Sequence, residues 1–526
     1  MKKFLLVLPL CLSIVSSFAQ ADKASHYAEM ITGDALKKQL SIIASEEMQG
    51  RETGTEGQRR AAAYIESQFK ANGLSFPASL NGYQQFYPLY TDSMISAELK
   101  TGDTKLEYGT DFIIPADKNE SGKFKADKLV FAGYGIEDAN YNDYSNLDVK
   151  NRIVILFLGE PRLENKYLVS GTERSSDWTF PGLNKKLALA ASKGAAGVLV
   201  ISPMQETFNQ RTLETSRKTN MYYPRPPATP LPNYAILTHA SAKKLLGVNA
   251  DSIVAIARGS RPFNSSLFFD KKLSIKFEYK KYRTITNASN VLGVVEGTDR
   301  KDEYVFVTGH YDHLGMRNGL IYYGADDDGS GTCAAIQMAE VFAKAKAEGY
   351  GPRRTMVFMT VSGEEKGLLG SEFYSNNPVY PLDKTSVDLN IDMVGRIDTE
   401  RKGDDTLNYV YVIGHDKLST DLPLINETMN SKYTKLILDY KFDDPADPNR
   451  IYFRSDHYNF ARKGIPVLFF YDGMLKSDYH KPTDTVDKIN FSLYEKRVRM
   501  IFYTAWEMAN RDEMMKRDKA LPTMTR

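Results

Sequence analysis

Several features are scarce in the 526-residue sequence, and each scarcity excludes a class of protein. There are 2 cysteines, and we expect Cys11 to be removed with an export signal, so that Cys333 has no partner for an internal disulfide. Beyond the N-terminus, no apolar run approaches the ~20 residues of a membrane span. The 68 basic and 66 acidic residues nearly cancel, and removing Lys2 and Lys3 leaves 66 of each. This balance disfavours binding to nucleic acid or to anionic membranes.

Two common catalytic motifs are also missing. The sequence has no Gly-x-Ser-x-Gly segment, which disfavours a serine hydrolase of that type. It has no His-Glu-x-x-His segment, which disfavours a zincin. Cys333 begins an apolar segment with Ala334 and Ile336, so we predict that it packs in the core rather than acts as a nucleophile.

The N-terminal segment has the parts of an export signal. Lys2 and Lys3 form a basic start, residues 4–15 form an apolar stretch, and small residues precede Ala21. The apolar stretch is shorter than a membrane span, which favours a cleaved signal over an anchor. We predict a signal peptide over residues 1–21 and an exported protein, periplasmic or extracellular after its removal.

The rest of the chain divides into three stretches by composition. Residues 22–125 form the N-terminal part of a main domain, with a helix that starts at a Thr55–Gln58 capping box and ends at Gly73. Residues 126–285 form an inserted unit, and residues 286–526 form the C-terminal part of the main domain. Within the insert we predict strands at 129–131, 153–158 and 198–201, a helix at 184–193 and an irregular proline-rich segment at 222–232.

Strands and helices alternate in the C-terminal part. The predicted strands are 304–307, 355–361, 386–391, 407–413 and 466–470. The predicted helices are 332–346, 368–375 and 493–510. Such alternation predicts an α/β fold with a mixed, mostly parallel sheet flanked by helices, in which ligands bind at the carboxyl ends of the strands.

Histidines and acidic residues follow these predicted strands. They are His310, the run 326–328, Glu364 with Glu365, Asp392, and His480. Any one of them alone is better explained as a packed or surface residue. Together at strand ends they indicate a metal site, because the carboxyl ends of parallel strands meet at one edge of the sheet.

Two histidines and three carboxylates suit a divalent ion of borderline hardness, most commonly zinc, although cobalt or manganese could occupy the same ligands. The set is too large for one four-coordinate ion that keeps an open position. It fits two ions about 3.5–4 Å apart that share one carboxylate. Two divalent ions, three carboxylates and one hydroxide form a neutral site, which a neutral peptide group can approach.

The order and surroundings of these residues resemble the co-catalytic zinc aminopeptidases of peptidase family M28. The insert resembles a protease-associated (PA) domain, a common companion in this family. The resemblance implies a zinc-dependent exopeptidase fold of the phosphorylase/hydrolase-like type, with a smaller β-rich α/β PA domain inserted. The matching segments are Gly50-Arg-Glu-Thr-Gly-Thr55, His310-Tyr-Asp312, Gly-Ala-Asp-Asp327-Asp-Gly-Ser-Gly, Gly-Glu364-Glu365-Lys-Gly-Leu-Leu-Gly-Ser, Asp392, Arg454-Ser-Asp-His457 and His480.

The resemblance also implies which residues bind the two zinc ions of each chain. Asp327 would bridge the ions. His310 and Asp392 would bind one of them, and Glu365 and His480 would bind the other.

Three further residues receive catalytic roles. By the resemblance Glu364 is the general base, since a carboxylate beside the shared water can take its proton. Asp312 would orient His310 by accepting a hydrogen bond from the far ring nitrogen. Tyr452 matches a tyrosine that assists the oxyanion in relatives. We interpret the remaining polar residues near these motifs as loop-shaping (Asp326 and Asp328) or structural (His313, His415 and His457).

The resemblance therefore implies an exported dinuclear zinc aminopeptidase that hydrolyses N-terminal residues from peptides through a water shared by the metals. The same ligands also occur in glutamate carboxypeptidases, so a carboxypeptidase or dipeptidase is an alternative. A glutaminyl cyclase shares the scaffold but uses one zinc, and a non-catalytic receptor-like member lacks ligands. The complete set of five ligands with Glu364 argues against both.

Overall fold

The computed structural model describes residues 23–126, 129–225, 231–246, 249–260, 275–402 and 405–522. The predicted signal peptide and part of the proline-rich segment, 226–230, lie outside these residues. The chain forms two compact units. The larger comprises the described residues up to Pro88 and from Asn287 onward, and the smaller comprises Leu89–Thr286.

The strands of the described residues are numbered in chain order. They are β1 (Gln84–Thr101), β2 (Thr104–Leu106), β3 (Phe112–Ile113), β4 (Gly122–Ala126), β5 (Leu129–Phe131), β6 (Glu137–Asp138), β7 (Tyr141–Asn142), β8 (Ile153–Phe157), β9 (Arg162–Leu163), β10 (Lys166–Tyr167), β11 (Gly197–Ser202), β12 (Tyr234–Thr238), β13 (Ile275–Val295), β14 (Arg300–His310), β15 (Gly315–Arg317), β16 (Leu320–Tyr322), β17 (Arg354–Val361), β18 (Thr385–Ile391), β19 (Tyr409–Ile413), β20 (Ile437–Asp439) and β21 (Val467–Tyr471).

The described α-helices are numbered in the same way. They are α1 (Gly33–Ile43), α2 (Glu56–Ala71), α3 (Leu183–Ser192), α4 (Gln210–Arg217), α5 (His239–Leu246), α6 (Ala250–Ala257), α7 (Gly329–Ala347), α8 (Leu369–Asn376), α9 (Asp421–Met429), α10 (His457–Ala461) and α11 (Phe491–Asn510). Short 3₁₀ turns lie at Glu46–Arg51, Ile451–Phe453 and Val486–Lys488, and one π-helical turn lies at Asn430–Thr434.

The larger unit is built on a mixed sheet in the order β1, β13, β17, β14, β18, β21, β19, β20. The four strands β17, β14, β18 and β21 are parallel neighbours. Strand β13 pairs antiparallel with β17, and β19 pairs antiparallel with β21. The predicted mixed, mostly parallel sheet is therefore confirmed.

Helices cover both faces of this sheet because its strands are apolar on both sides. Val305 and Val307 of β14 pack in a core with α1, α7 and α11. Phe306, between them, points to the opposite face and packs with Tyr374 of α8 and Phe460 of α10. All three strand residues are fully buried, so the sheet is the middle layer of a three-layer α/β unit.

The smaller unit has its own five-stranded sheet in the order β3, β12, β11, β8, β5. Strands β12, β11, β8 and β5 are parallel neighbours, and β3 is antiparallel to β12. Helix α3 packs on one face through Leu187 and Ala190. The opposite face packs against Ala242 of α5 and Ile253 of α6. The predicted strands and helix of this segment are confirmed, and its identity as a PA domain stays a prediction.

The boundary before the smaller unit lies at Leu89, whereas composition placed the start of the insert at residue 126. Leu99, Phe112 and Ile114 explain the earlier boundary, because their buried side chains belong to the core of the smaller unit. The other boundary, at Thr286, is one residue from the predicted one.

The start of helix α2 differs from its prediction. Thr55 occupies the N-cap but its side chain makes no capping hydrogen bond to the helix. Its hydroxyl donates instead to the carbonyl of Glu52 at 2.6 Å. Gln58 is buried and donates to the hydroxyl of Tyr311 at 2.5 Å. The expected capping box is therefore wrong, because the nearby carbonyl of Glu52 engages Thr55 and a tertiary contact with Tyr311 engages Gln58.

Within the part of the chain that the structure describes, no helix is both long enough and apolar enough to cross a membrane.

Candidate metal centre

The register of the parallel strands brings the predicted site residues to one level at the carboxyl edge of the large sheet. His310 is the last residue of β14 and pairs with Val361, the last residue of β17. Thr308 pairs with Asn390 of β18, which places Asp392 just beyond the end of that strand. Glu364 and Glu365 follow β17 by three and four residues. Regular strand pairing thus determines where most of the site lies.

A first cluster surrounds the Nε2 atom of His310. This atom lies 3.3 Å from Asp327 Oδ1, 3.6 Å from Asp392 Oδ1 and 3.9 Å from Glu364 Oε2. The other ring nitrogen, Nδ1, is 3.0 Å from the backbone carbonyl of Asp312. Because a carbonyl can only accept, Nδ1 carries the proton and Nε2 presents a lone pair to the cluster.

A second cluster surrounds the other oxygen of Asp327. His480 Nε2 lies 3.2 Å from Asp327 Oδ2 and 3.1 Å from Glu365 Oε2. Asp327 therefore faces His310 with one oxygen and His480 with the other, which is the arrangement that a bridging carboxylate requires. The structure brings together all five residues that the sequence singled out as metal ligands.

His313, which we interpreted as structural from the sequence, also belongs to the second cluster. Its Nδ1 lies 2.9 Å from Glu365 Oε1 and 3.8 Å from Asp327 Oδ2. The ring is fully buried and lies edge-on to that of His480, with the centroids 5.9 Å apart. The sequence contained one signal for this location of His313. It lies three residues beyond His310, and the chain that leaves a strand end passes the same edge of the sheet.

The donor atoms of both clusters are arranged for binding metal ions rather than for hydrogen bonding to one another. Buried atoms without a hydrogen-bond partner among the described residues include His310 Nε2, both ring nitrogens of His313, Asp327 Oδ2 and Glu365 Oε1. Leaving such atoms unpaired is costly unless another partner satisfies them. Two donors on one tetrahedral zinc ion lie about 3.3 Å apart, given bonds of ~2.0–2.1 Å. The nearest separations within the clusters have this scale.

Charges in the clusters shift the pKa values of their members in opposite directions. Burial alone would raise the pKa of Asp327, but His310, His313 and His480 hold it well below its usual value. Burial raises the pKa of Glu364 well above its usual value, and Glu365 is among the neighbouring carboxylates that reinforce the shift. The buried carboxylates of the centre therefore favour the binding of positive charge.

The loop before α7 is shaped by two carboxylates that flank Asp327. Asp328 accepts hydrogen bonds from the backbone N–H groups of His310, Gly331 and Met393 at 2.8–3.0 Å. Asp326 accepts from the N–H of Gly395 at 2.8 Å. These bonds join the end of β14, the start of α7 and the segment after β18. The arrangement agrees with the loop-shaping role inferred from the sequence.

Asp484 supports the same loop and was missed from the sequence. Its buried carboxylate accepts from the N–H groups of Asp326 and Asp327, each at 3.1 Å. Gly324 opens the loop with a φ of +56°, and a Cβ there would lie 2.5 Å from the Cγ atom of His313. This glycine therefore permits both the turn and the close approach of His313.

Asp312 has a different role from the predicted one. Its carboxylate Oδ1 is 3.7 Å from His310 Nδ1, too far for a hydrogen bond, and its backbone carbonyl makes that contact instead. The carboxylate accepts from the Thr53 hydroxyl at 2.6 Å and from the Glu364 N–H at 3.2 Å. Asp312 therefore connects the N-terminal Gly50–Thr55 segment to the Glu364 loop, because two closer donors compete for it.

Tyr452 does not face the site. It is fully buried in an aromatic cluster with Tyr411 and Phe469. Burial raises the pKa of its hydroxyl, and the nearby charge of Asp443 adds to this shift. It lies in a 3₁₀ turn, in which residues three apart share a face. Ile451 and Arg454 face the pocket, so Tyr452 between them turns inward, and the predicted oxyanion role has no support in this geometry.

An open pocket of about 340 Å³, including volume open to solvent, leads to the first cluster. Its wall combines apolar side chains with the tyrosines Tyr471 and Tyr479, which were not identified from the sequence. The lining residues beyond the cluster are Met393, Ile451, Arg454, Ser455, Phe469, Tyr471, Leu475 and Tyr479. Ser455 positions the cluster directly, since its hydroxyl donates to Asp392 Oδ2 at 2.6 Å.

The two other histidines interpreted as structural lie outside both clusters. His457 is buried and donates from Nε2 to the carbonyl of Tyr452 at 2.9 Å. His415 stacks on Tyr440 and lies with Asp416 and Asp443 in a third acidic group. Lys417 already contacts both carboxylates of that group, so the group has its own cation.

The fold and the site together define an α/β domain with paired histidine–carboxylate clusters suited to divalent metals. Residues 290–505, which lie in the larger unit, match the model of peptidase family M28.

Comparisons with individual proteins give local matches. A probable leucine aminopeptidase of Arthroderma otae is 28% identical over 216 residues, 40% of this chain and 55% of the relative. A probable zinc metalloprotease of Pyrenophora tritici-repentis is 37% identical over 115 residues, 20% of this chain and 22% of the relative. The chain thus spans about half the length of the first relative. A solved structure, an aminopeptidase from Aneurinibacillus sp. strain AM-1, aligns with a TM-score of 0.48 at 17% identity over 95% of this chain and 98% of that one.

Proposed function

We propose that this protein is an exported zinc aminopeptidase that removes N-terminal residues from peptides and holds two zinc ions per chain. The observation that carries the proposal is the pair of histidine–carboxylate clusters that share Asp327, with Glu364 at the first of them. The family of residues 290–505 and the similarity to a probable leucine aminopeptidase support peptide hydrolysis. Export is inferred from the basic and apolar pattern of residues 1–21.

The five predicted ligands would be divided between two ions. His310 and Asp392 would bind the first ion, Glu365 and His480 the second, and Asp327 both. When bound, such ions lower the pKa of a shared water and polarise the scissile carbonyl.

Glu364 is placed to move the proton. Its carboxylate lines the pocket and lies 3.9 Å from His310 Nε2. From this position it takes the proton of the attacking water and delivers it to the departing amine. The hydroxyl groups of Tyr471 and Tyr479 on the pocket wall are the nearby donors that could stabilise the oxyanion.

A dipeptidase or carboxypeptidase is the second candidate, and one observation favours it. The pocket wall carries a cation, Arg454, whereas the carboxylates on the wall all belong to the metal clusters. A cation beside the scissile bond suits a substrate with a nearby carboxylate.

The Glu364→Gln variant tests the proposed mechanism. We expect two zinc ions per chain to remain bound and turnover of aminoacyl substrates to fall by roughly 10²–10⁴-fold, because the general base is lost while the ligands are retained. Metal analysis and steady-state kinetics would measure both. Glu340→Gln on helix α7, outside the clusters, is the matched control and should behave as the wild type. Near-normal turnover of Glu364→Gln would contradict the assignment.

A substrate panel would separate the candidates. Peptides with a free N-terminus, N-blocked peptides with a free C-terminus, and peptides with N-terminal glutamine would distinguish an aminopeptidase, a carboxypeptidase and a glutaminyl cyclase. Cleavage confined to the N-blocked peptides would replace the proposed aminopeptidase by a carboxypeptidase.

A further inference from the structure

We propose that Arg454 is a substrate-binding residue that recognises a carboxylate of the peptide close to the scissile bond. This inference rests on the proposed peptidase function and adds a substrate class to it, namely short or acidic peptides that place a carboxylate beside the metal centre.

The guanidinium of Arg454 is held at the pocket without a described acidic partner. Its hydrogen-bond partner among the described residues is the hydroxyl of Tyr479, at 2.8 Å from Nη2. The side chain is exposed and lines the same pocket as Glu364 and Asp392. A guanidinium has five N–H donors, so most of them remain available for a ligand.

Other arginines near the centre are already engaged. Arg396 donates to Asp478 Oδ2 at 2.7 Å. Arg51 is fully buried and donates to four backbone carbonyls at 2.7–2.8 Å. These side chains have structural partners, whereas Arg454 presents its charge to the pocket.

Two connections fix Arg454 relative to the metal centre. Tyr479, which accepts its hydrogen bond, stacks on the ring of His480 with the centroids 3.8 Å apart. Ser455, the next residue in the chain, donates to Asp392 at 2.6 Å. Arg454 is therefore connected to each cluster through one intervening residue, Tyr479 for the second cluster and Ser455 for the first.

A simpler explanation is that Arg454 only offsets the negative charge of the clusters. Two divalent ions would neutralise the three ligand carboxylates and a shared hydroxide but not Glu364. Burial lowers the pKa of Arg454, but Tyr479, Tyr471 and the charge of Glu364 together raise it above its usual value. No carboxylate of the clusters makes an ion pair with Arg454 among the described residues. Binding a bidentate carboxylate of the substrate uses the planar donor geometry of arginine, which charge compensation alone does not need.

The carboxylate could be the C-terminus of a dipeptide or an acidic side chain on either side of the scissile bond. Three matched substrate pairs distinguish these sources: Leu-Leu against Leu-Leu-amide, Leu-Glu-amide against Leu-Gln-amide, and Glu-Leu-amide against Gln-Leu-amide. The quantity measured is the ratio of kcat/KM for the charged peptide to kcat/KM for its neutral partner.

We expect the wild type to prefer the charged member of at least one pair. Arg454→Gln should lower that ratio roughly ten- to hundredfold, mainly through KM, because a hydrogen bond to a charged group is lost. Arg454→Lys should restore part of the preference, because it keeps the charge but not the bidentate geometry. Lys476→Gln removes the same charge from an exposed residue that pairs with Glu400, and should leave the ratio unchanged.

Each outcome decides the proposal. A wild type without preference in any pair, or a preference that survives in Arg454→Gln, would overturn the role of Arg454 while leaving the peptidase function intact. Absence of cleavage of all six peptides and of the N-blocked series by the zinc-loaded protein would overturn the peptidase function itself. Thermal unfolding of each variant would show that the changes in the ratio occur in folded protein.

Discussion

At the scale of single residues, His313 illustrates how a buried side chain can belong to a metal centre. Its Nδ1 lies 2.9 Å from Glu365 Oε1, yet neither atom makes a hydrogen bond among the described residues. The two atoms are therefore not directed at each other. This geometry is expected if an ion bound at the second cluster draws Glu365 toward itself, with His313 beside the proposed ligands as a supporting residue.

A substitution at His313 tests this interpretation. We expect His313→Ala to lose metal from the second cluster, with zinc affinity reduced roughly 10–100-fold, the scale known for residues that support metal ligands. Chelator competition followed by metal analysis would measure the change. His415→Ala, outside both clusters, is the matched control. Two zinc ions retained at wild-type affinity in His313→Ala would assign His313 to packing alone.

At the scale of secondary-structure elements, helix α3 shows how one buried lysine attaches a helix to neighbouring loops. Lys186 of α3 is fully buried, and its ammonium donates to the carbonyls of Tyr134 and Gly159 at 2.5 and 2.7 Å. Burial lowers its pKa to about 7 despite the nearby charges of Asp143 and Glu160. The residue is thus a titratable group inside the smaller unit.

Lys186 should make the stability of the smaller unit depend on pH. Between its folded pKa of about 7 and its usual value near 10.5, the unfolded chain binds the proton and the folded chain does not. The free energy of unfolding therefore rises with pH across this window and declines toward pH 7. Denaturant titrations from pH 6 to 10 should show this rise in the wild type and not in Lys186→Met.

The neighbouring Lys185 provides the control for this measurement. Its ammonium is partly exposed and pairs with Asp177 at 2.9 Å. Lys185→Met should keep the wild-type pH dependence. A slope in Lys186→Met equal to that of the wild type would mean that another group causes the dependence.

At the scale of the whole molecule, the proposed metal ligands all lie in the larger unit, within the segment that matches the peptidase family. A ligand that binds only the folded state stabilises it, by ~4 kcal/mol when its concentration is a thousand times its dissociation constant. Metal binding should therefore stabilise the larger unit specifically.

Hydrogen exchange measured with and without zinc tests whether metal binding stabilises only the larger unit. Adding zinc to chelator-treated protein should slow exchange at the carboxyl ends of β14, β17 and β18 and in the loop before α7. We expect little change in Leu89–Thr286. Asp327→Asn, which removes the bridging charge, should respond weakly in both regions. An equal response of the smaller unit would contradict a metal effect confined to the larger one.

Much of the architecture and of the centre could be predicted from the sequence. The order of strands and helices from residue 290 follows from alternating apolar runs, and the sheet follows from that alternation. His310 and Asp392 could be placed because regular strands bring their ends to the same edge.

Side-chain direction in irregular segments could not be predicted. Tyr452 and Arg454 are two residues apart at a 3₁₀ turn, and only the packing of that turn determines which of them faces the pocket. The Asp312 carboxylate does not make its expected hydrogen bond, because distant residues such as Thr53 offer it closer donors. Thr55 does not cap its helix, because its hydroxyl donates to the nearby carbonyl of Glu52.

By itself the sequence determined the fold class and the five metal-binding candidates, since hydrophobic periodicity and the chemistry of residues at strand ends are local properties of the chain. The tertiary structure alone decided that His313 joins the second cluster, that Arg454 presents a cation to the pocket and that Tyr452 is buried behind its wall. Those outcomes depend on contacts between segments far apart in the chain, and such contacts exist only after the chain has folded.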